Sequence, residues 1–156
     1  MPEQTEPYAE GRESIRSTVT DAVSKLLLSS SHLTRPQLES LLADSISNEK
    51  TLKKGQRHLF RASGGKISRG SYNRTLIQAQ NNVIRSIYTI LLLGYVGLFD
   101  TPALQPFLEL SDGLQGYMEE VKKAPQKDAA AIDQLKARLW EGISVLAGRQ
   151  SFKDSF

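Results

Sequence analysis

Apolar residues in this chain return every three or four positions, in stretches separated by serine, proline and glycine, which is the spacing of amphipathic helices. From about Arg12 to Ser30, Ile15, Val19, Ala22, Val23, Leu26 and Leu27 define one stripe, and the run Ser29-Ser30-Ser31 ends it. Thr34-Arg35-Pro36-Gln37 announces a second helix. Thr34 can cap it, Gln37 can reach back, and Pro36 falls in the first turn, where its missing N–H is not needed. Leu38, Leu41, Leu42 and Ile46 form its inner face. Ser47 or Asn48 can cap a third helix to about Ala62, with Leu52, Leu59 and Phe60 apolar and Gly55 weakening it. Ser63 to Gly70, SGGKISRG, reads as a flexible basic loop whose glycines suit a tight turn, a plain connection or close approach to a phosphate.

The most informative stretch is Ser68 to Phe99. Ser71 can cap a helix there and Gly94 can end it, giving roughly twenty residues. Arg74, Gln78, Asn81 and Arg85 recur at spacings of four, three and four, which puts them on one stripe. Leu76, Val83, Ile84, Ile87, Ile90 and Leu91 are expected largely on the other side, facing a core. The apolar run Ile87 to Phe99 is about thirteen residues, short of the roughly twenty that cross a bilayer, so a buried helix end is expected and no membrane. After it, Asp100-Thr101-Pro102 restarts the chain, and Leu104, Phe107, Leu108, Leu114, Tyr117, Met118 and Val121 have helical spacing. Pro106 and Gly113 are expected to divide that stretch, and Pro125 to close it. A last helix, about Lys127 to Ala147, carries Ile132, Leu135, Leu139, Ile143 and Leu146 on one side, with Trp140 beside them.

Charge changes this picture. Between Lys50 and Phe99 there is no Asp or Glu, while Lys50, Lys53, Lys54, Arg57, Arg61, Lys66, Arg69, Arg74 and Arg85 make nine cations. The remainder of the chain holds eleven basic residues against seventeen acidic ones, so the net charge of +3 conceals a basic centre between acidic flanks. Fifty residues without a carboxylate suggest a surface that must not repel a polyanion. Arg, Gln and Asn are also the side chains that make paired hydrogen bonds to purine edges in the major groove. A solvated helix face would show the same spacing, and the charge asymmetry is what favours nucleic acid.

The 156 residues suit a compact all-α multi-helix domain with a helix-turn-helix-like core and C-terminal helices for packing or dimerisation. The division expected is a disordered acidic tail over 1–11, a basic domain over 12–99, a helical region over 100–147 and a short tail over 148–156. Cysteine is absent, which excludes disulfides and thiolate metal sites, and MPEQTEPYAEG lacks the apolar core of a signal peptide. A cytoplasmic protein is expected, nucleoid-associated if prokaryotic. His32 and His58 have no carboxylate nearby at metal-ligand spacing. No nucleophile elbow, P-loop or dinucleotide fingerprint occurs, so neither an enzyme nor a cofactor or metal is expected.

Leu33-Thr34-Arg35-Pro36-Gln37-Leu38-Glu39-Ser40-Leu41-Leu42 and Ile90-Leu91-Leu92-Leu93-Gly94-Tyr95-Val96 resemble the two ends of a winged helix-turn-helix domain. The resemblance covers Arg12 to Phe99 and implies that Arg74, Gln78, Asn81 and Arg85 face the major groove, braced by Arg12 to Ser30. The gap between the two pieces is longer than the family's turn, and no pair of strands for a wing follows Val96. A variant takes Asn48 to Ala62 as the recognition helix and SGGKISRG as a small wing. The leading expectation is thus a DNA-binding regulator or chromosome-associated factor, open to homodimerisation through its C-terminal helices. Lys53, Lys54, Arg57, Arg61, Lys66 and Arg69 would engage phosphates, while Tyr72, Arg74, Gln78, Asn81 and Arg85 would set register and read bases. The alternatives are a helical adaptor or assembly subunit meeting an acidic protein surface, or an RNA binder.

Overall fold

The computed structural model describes residues 6–49, 57–59, 67–98, 104–123 and 128–146, and every regular element among them is helical. The elements are α1 (Glu6–Thr20), α2 (Ala22–Ser29), α3 (Arg35–Glu49), α4 (Arg69–Tyr95), α5 (Gln105–Lys123) and α6 (Asp128–Leu146). The protein is all-α, as the periodicity predicts. It divides into two units, Met1–Tyr88 and Thr89–Phe156.

In the first unit the stripe expected on a single helix is shared by two. Gly11, Ile15 and Val19 of α1 and Val23 of α2 are buried at intervals of four. Between the helices Asp21 adopts an extended conformation (φ −67°, ψ 155°), and its carboxylate accepts from the backbone N–H of Val23 at 2.9 Å and of Ser24 at 3.3 Å. This local cap outcompetes continuation of α1. At the other end α1 starts at Glu6, inside the tail expected to be disordered. Pro7 suits the first turn of a helix, and Tyr8 packs on the core, which supplies the apolar anchor that composition hid.

The capping box forms as read: Gln37 N donates to Thr34 Oγ1 at 3.4 Å, and Thr34 N donates to Gln37 Oε1 at 3.0 Å. The helix it opens differs in two ways. α3 continues through Ser47 and Asn48 to Glu49, so neither residue caps a new helix. Its deepest face is Glu39, Ser40, Ala43 and Ser47, with Leu38, Leu41, Leu42 and Ile46 only partly buried beside it. The small Ala43 side chain packs in one cluster with Ile15 and Val19 of α1 and Tyr72 and Leu76 of α4. The Glu39 carboxylate, wholly buried, accepts from Arg35 Nε at 3.0 Å. Of the expected third helix the described part is a single 3₁₀ turn at 57–59; the rest of it and Ser63 to Lys66 lie outside the described residues.

α4 starts three residues earlier than expected, because Ser68 rather than Ser71 is its cap: Ser68 Oγ accepts from Ser71 N at 3.2 Å. Its first turns complete a core of Ile15, Val19, Ala43, Tyr72 and Leu76. Two polar side chains fix its rotation. The Tyr72 hydroxyl donates to the Ser40 carbonyl at 3.2 Å, and Asn82 Nδ2 donates to the His32 carbonyl at 3.0 Å and to Gln37 Oε1 at 3.3 Å. The helix passes through Gly94 and ends one residue later. Gly97 (φ 73°) takes the left-handed position, with Gly97 N donating to Gly94 O at 3.1 Å and Leu98 N to Leu93 O at 3.0 Å, a Schellman ending.

In the second unit α5 runs unbroken through Gly113, with Pro106 in its first turn, so the expected division is absent. Phe107, Leu110 and Leu114 are half-buried, whereas Leu108, expected on that face, is exposed. α6 matches its expected bounds to within a residue. Leu135 is buried, Ile132, Leu139 and Trp140 are half-buried, and Ile143 is exposed. Asp100 to Pro102 and Pro125 lie outside the described residues.

Two substitutions test this account by urea denaturation at unchanged m-value. Tyr72→Phe should cost about 1 kcal/mol, the net worth of its hydroxyl bond, and Tyr72→Ala about 3–5 kcal/mol through the cavity left behind. Asp21→Ala should cost about 1 kcal/mol through loss of the α2 cap.

Candidate nucleic-acid interface

With its rotation fixed, α4 presents three faces. Tyr72, Leu76 and Ala79 are buried against the first unit's core. Arg74, Gln78, Asn81 and Arg85 are all exposed on the opposite face. At 100° per residue they fall within an arc of about 60°, and at 1.5 Å per residue they extend over about 16 Å. The third face lies beside the polar stripe and carries Ile77, Ile84, Ile87 and Tyr88, all exposed. This last face corrects the sequence reading. Val83, Ile84, Ile87, Ile90 and Leu91 are exposed rather than core-facing, and of the apolar set only Leu76 is buried. The core cluster of the first unit draws its α4 members from the turns around Tyr72 and Leu76.

The expected contact residues separate into three groups. Arg69, Arg74, Gln78, Asn81 and Arg85 are exposed along α4. Arg69 stands in the first turn of a helix with no acidic residue there. A cation at the positive end of a helix dipole is unfavourable within the chain, and an approaching anion would relieve it. Tyr72 and Arg57 are corrections. Tyr72 is 2% exposed and holds α4 to α3, so it cannot stack on a base. Arg57 pairs with Asp44 through Nη1 and donates from Nη2 to Asn48 Oδ1 at 2.7 Å, so its guanidinium braces the 57–59 turn against α3. Lys53, Lys54, Arg61 and Lys66 lie outside the described residues.

One positioning residue escaped the sequence reading. Asn82 adjoins Asn81 in the chain but sits about 100° around the helix, where it donates to His32 in the connection between α2 and α3 and to Gln37 of α3. The signal for it was the pair of adjacent amides, of which a single stripe can take only one. Among the described residues no group of His, Asp or Glu could hold a metal ion, and no helix is long and apolar enough to cross a membrane. No family model, curated protein or solved structure matches this chain.

Proposed function

We propose that this protein binds double-stranded nucleic acid, DNA in preference to RNA, through the N-terminal half of α4, as a transcriptional regulator or chromosome-associated factor would. One observation carries the reading: a helix anchored by Tyr72, Leu76 and Ala79 turns Arg74, Gln78, Asn81 and Arg85 outward together, on a segment free of carboxylates. A major groove about 12 Å wide admits such a helix. Gln78 and Asn81 have the donor and acceptor pair that fits adenine, the arginines fit guanine or phosphate, and Arg69 with the helix N-terminus fits a backbone phosphate. No wing is required by this arrangement. The exposed apolar face beside the stripe favours a protein partner as well.

Affinity for a short duplex, measured by fluorescence anisotropy at several salt concentrations, should fall linearly in log–log form with a slope of about −0.9 per phosphate neutralised. Arg74→Ala combined with Arg85→Ala should abolish preference for duplex over single-stranded RNA; absence of duplex binding by the parent chain at low salt removes the proposal. Gly70→Ala is a finer probe. A Cβ at Gly70 meets nothing within 4 Å, so the variant should gain about 0.5–1 kcal/mol of helix stability. It should nevertheless bind duplex more weakly if a phosphate backbone approaches that first turn.

A further inference from the structure

We propose that Ile77 reads thymine: its side chain meets the C5-methyl group of a T·A pair in the major groove, while the polar residues around it read the adjoining base edges. This rests on the duplex binding proposed above and names what that duplex contains. On a helix surface the nearest neighbours of a residue stand three and four positions away. For Ile77 these are Asn73, Arg74, Gln80 and Asn81, three amides and a guanidinium. All four are exposed, and none has a hydrogen-bond or ion-pair partner among the described residues. Other polar side chains of the same turns are engaged: the Tyr72 hydroxyl donates to the Ser40 carbonyl, Thr75 Oγ1 to the Ser71 carbonyl at 3.0 Å, and Asn82 to His32 and Gln37. Ile77 is 55% exposed at the centre of the ring. An exposed isoleucine is ordinary by itself, and its surroundings decide. Ile84, seven residues on, has Ile87 and Tyr88 among its four neighbours, whereas Ile77 has no apolar one. One isolated side chain is too little apolar area for a stable protein interface.

The chemistry of the ring selects the ligand. In the major groove a T·A pair presents the N7 acceptor and N6 donor of adenine beside the O4 acceptor and methyl group of thymine. The amides of Asn73, Gln80 and Asn81 match the adenine pair. The methyl needs an apolar contact, and among the exposed side chains of residues 69–81 Ile77 alone supplies one. Arg74 adds a cation, and no carboxylate between Lys50 and Phe99 opposes it. Asn73 to Asn81 extends about 12 Å at 1.5 Å per residue, the rise of three to four base pairs at about 3.4 Å each. Gly70, seven residues before Ile77 and so on the same line, has no side chain, and nothing lies within 4 Å of where its Cβ would be. The start of the helix can therefore sink toward the groove floor and carry Ile77 with it. Uracil lacks the methyl, and the major groove of an RNA duplex is too deep and narrow for side chains to read, so the same contact separates DNA from RNA.

The test selects duplexes bound by the full chain from a randomised pool at low salt, then replaces each thymine of the selected site in turn by deoxyuridine, which removes one methyl and nothing else. At one position the replacement should weaken binding about fourfold by fluorescence anisotropy, the worth of one buried methyl-sized group. Ile77→Ala should lose that discrimination while keeping the salt slope of the parent chain, and Ile77→Val should retain it. Alanine is a better helix former than isoleucine, so helix content by circular dichroism should be unchanged. Replacing the paired adenine by 7-deazaadenine, which removes N7, should cost at least about fivefold. A chain that binds no duplex at low salt removes both proposals. Duplex binding with no T·A pair selected, or with every deoxyuridine tolerated, overturns the thymine contact alone and leaves duplex binding in place. Discrimination that survives in Ile77→Ala overturns the contact equally. So does an Ile77→Ala chain that changes oligomeric state in sedimentation velocity with its duplex specificity intact, which gives the residue to a protein partner.

Discussion

The rotation of α4 about its own axis is the constraint from which the rest follows. Tyr72 and Asn82, ten residues apart and so about 15 Å along the helix, each reach across to α3 or to the connection before it. A bond of this kind is worth about 1 kcal/mol net, but leaving a buried hydroxyl or amide without its partner costs more, so wrong rotations are penalised. With that rotation Arg74, Gln78, Asn81 and Arg85 face away from the first unit's core, and Ile77, Ile84, Ile87 and Tyr88 are exposed beside them. The geometry of the candidate interface is therefore decided on the buried side of the helix, by residues that never meet a ligand.

The support beneath α4 is unusually polar. Glu39, Ser40 and Ser47 lie on the buried face of α3 alongside Ala43. An apolar face would pack as readily on α1, but it would leave Arg35 without the Glu39 carboxylate that it meets at 3.0 Å. Buried polar groups that must find partners narrow the packings available to the three helices. The leucines of α3 then close the flanks, which is why they are partly rather than fully buried.

Much of this was legible in the sequence, and the failures have particular causes. Thr34 to Gln37 is a local signal with one solution, and it was read correctly. Spacing also identified the outward stripe from Arg74 to Arg85, since four positions on one arc do not depend on what surrounds them. The break at Asp21 was hidden because Gly11, Ile15, Val19 and Val23 keep a four-residue interval straight through it. Ser68 and Ser71 are equivalent as local caps, and the structure uses Ser68. Periodicity assigned the isoleucines of α4 to a face, but a face is buried only if some other element covers it, and that is a property of the tertiary arrangement. Tyr72 obeys the same rule: in a basic segment an aromatic residue has the look of a stacking platform, and only its burial against α3 gives it a structural role instead.

The Gln37 side-chain oxygen serves two masters, accepting from Thr34 at the head of α3 and from Asn82 on α4. A capping-box residue here also helps to hold a second helix. Glutamate at position 37 would preserve both acceptors, whereas an aliphatic residue would remove the α3 capping bond and one of the two bonds that Asn82 makes. Positions 37 and 82, forty-five residues apart, are thus energetically coupled, so a change at either is felt at the other.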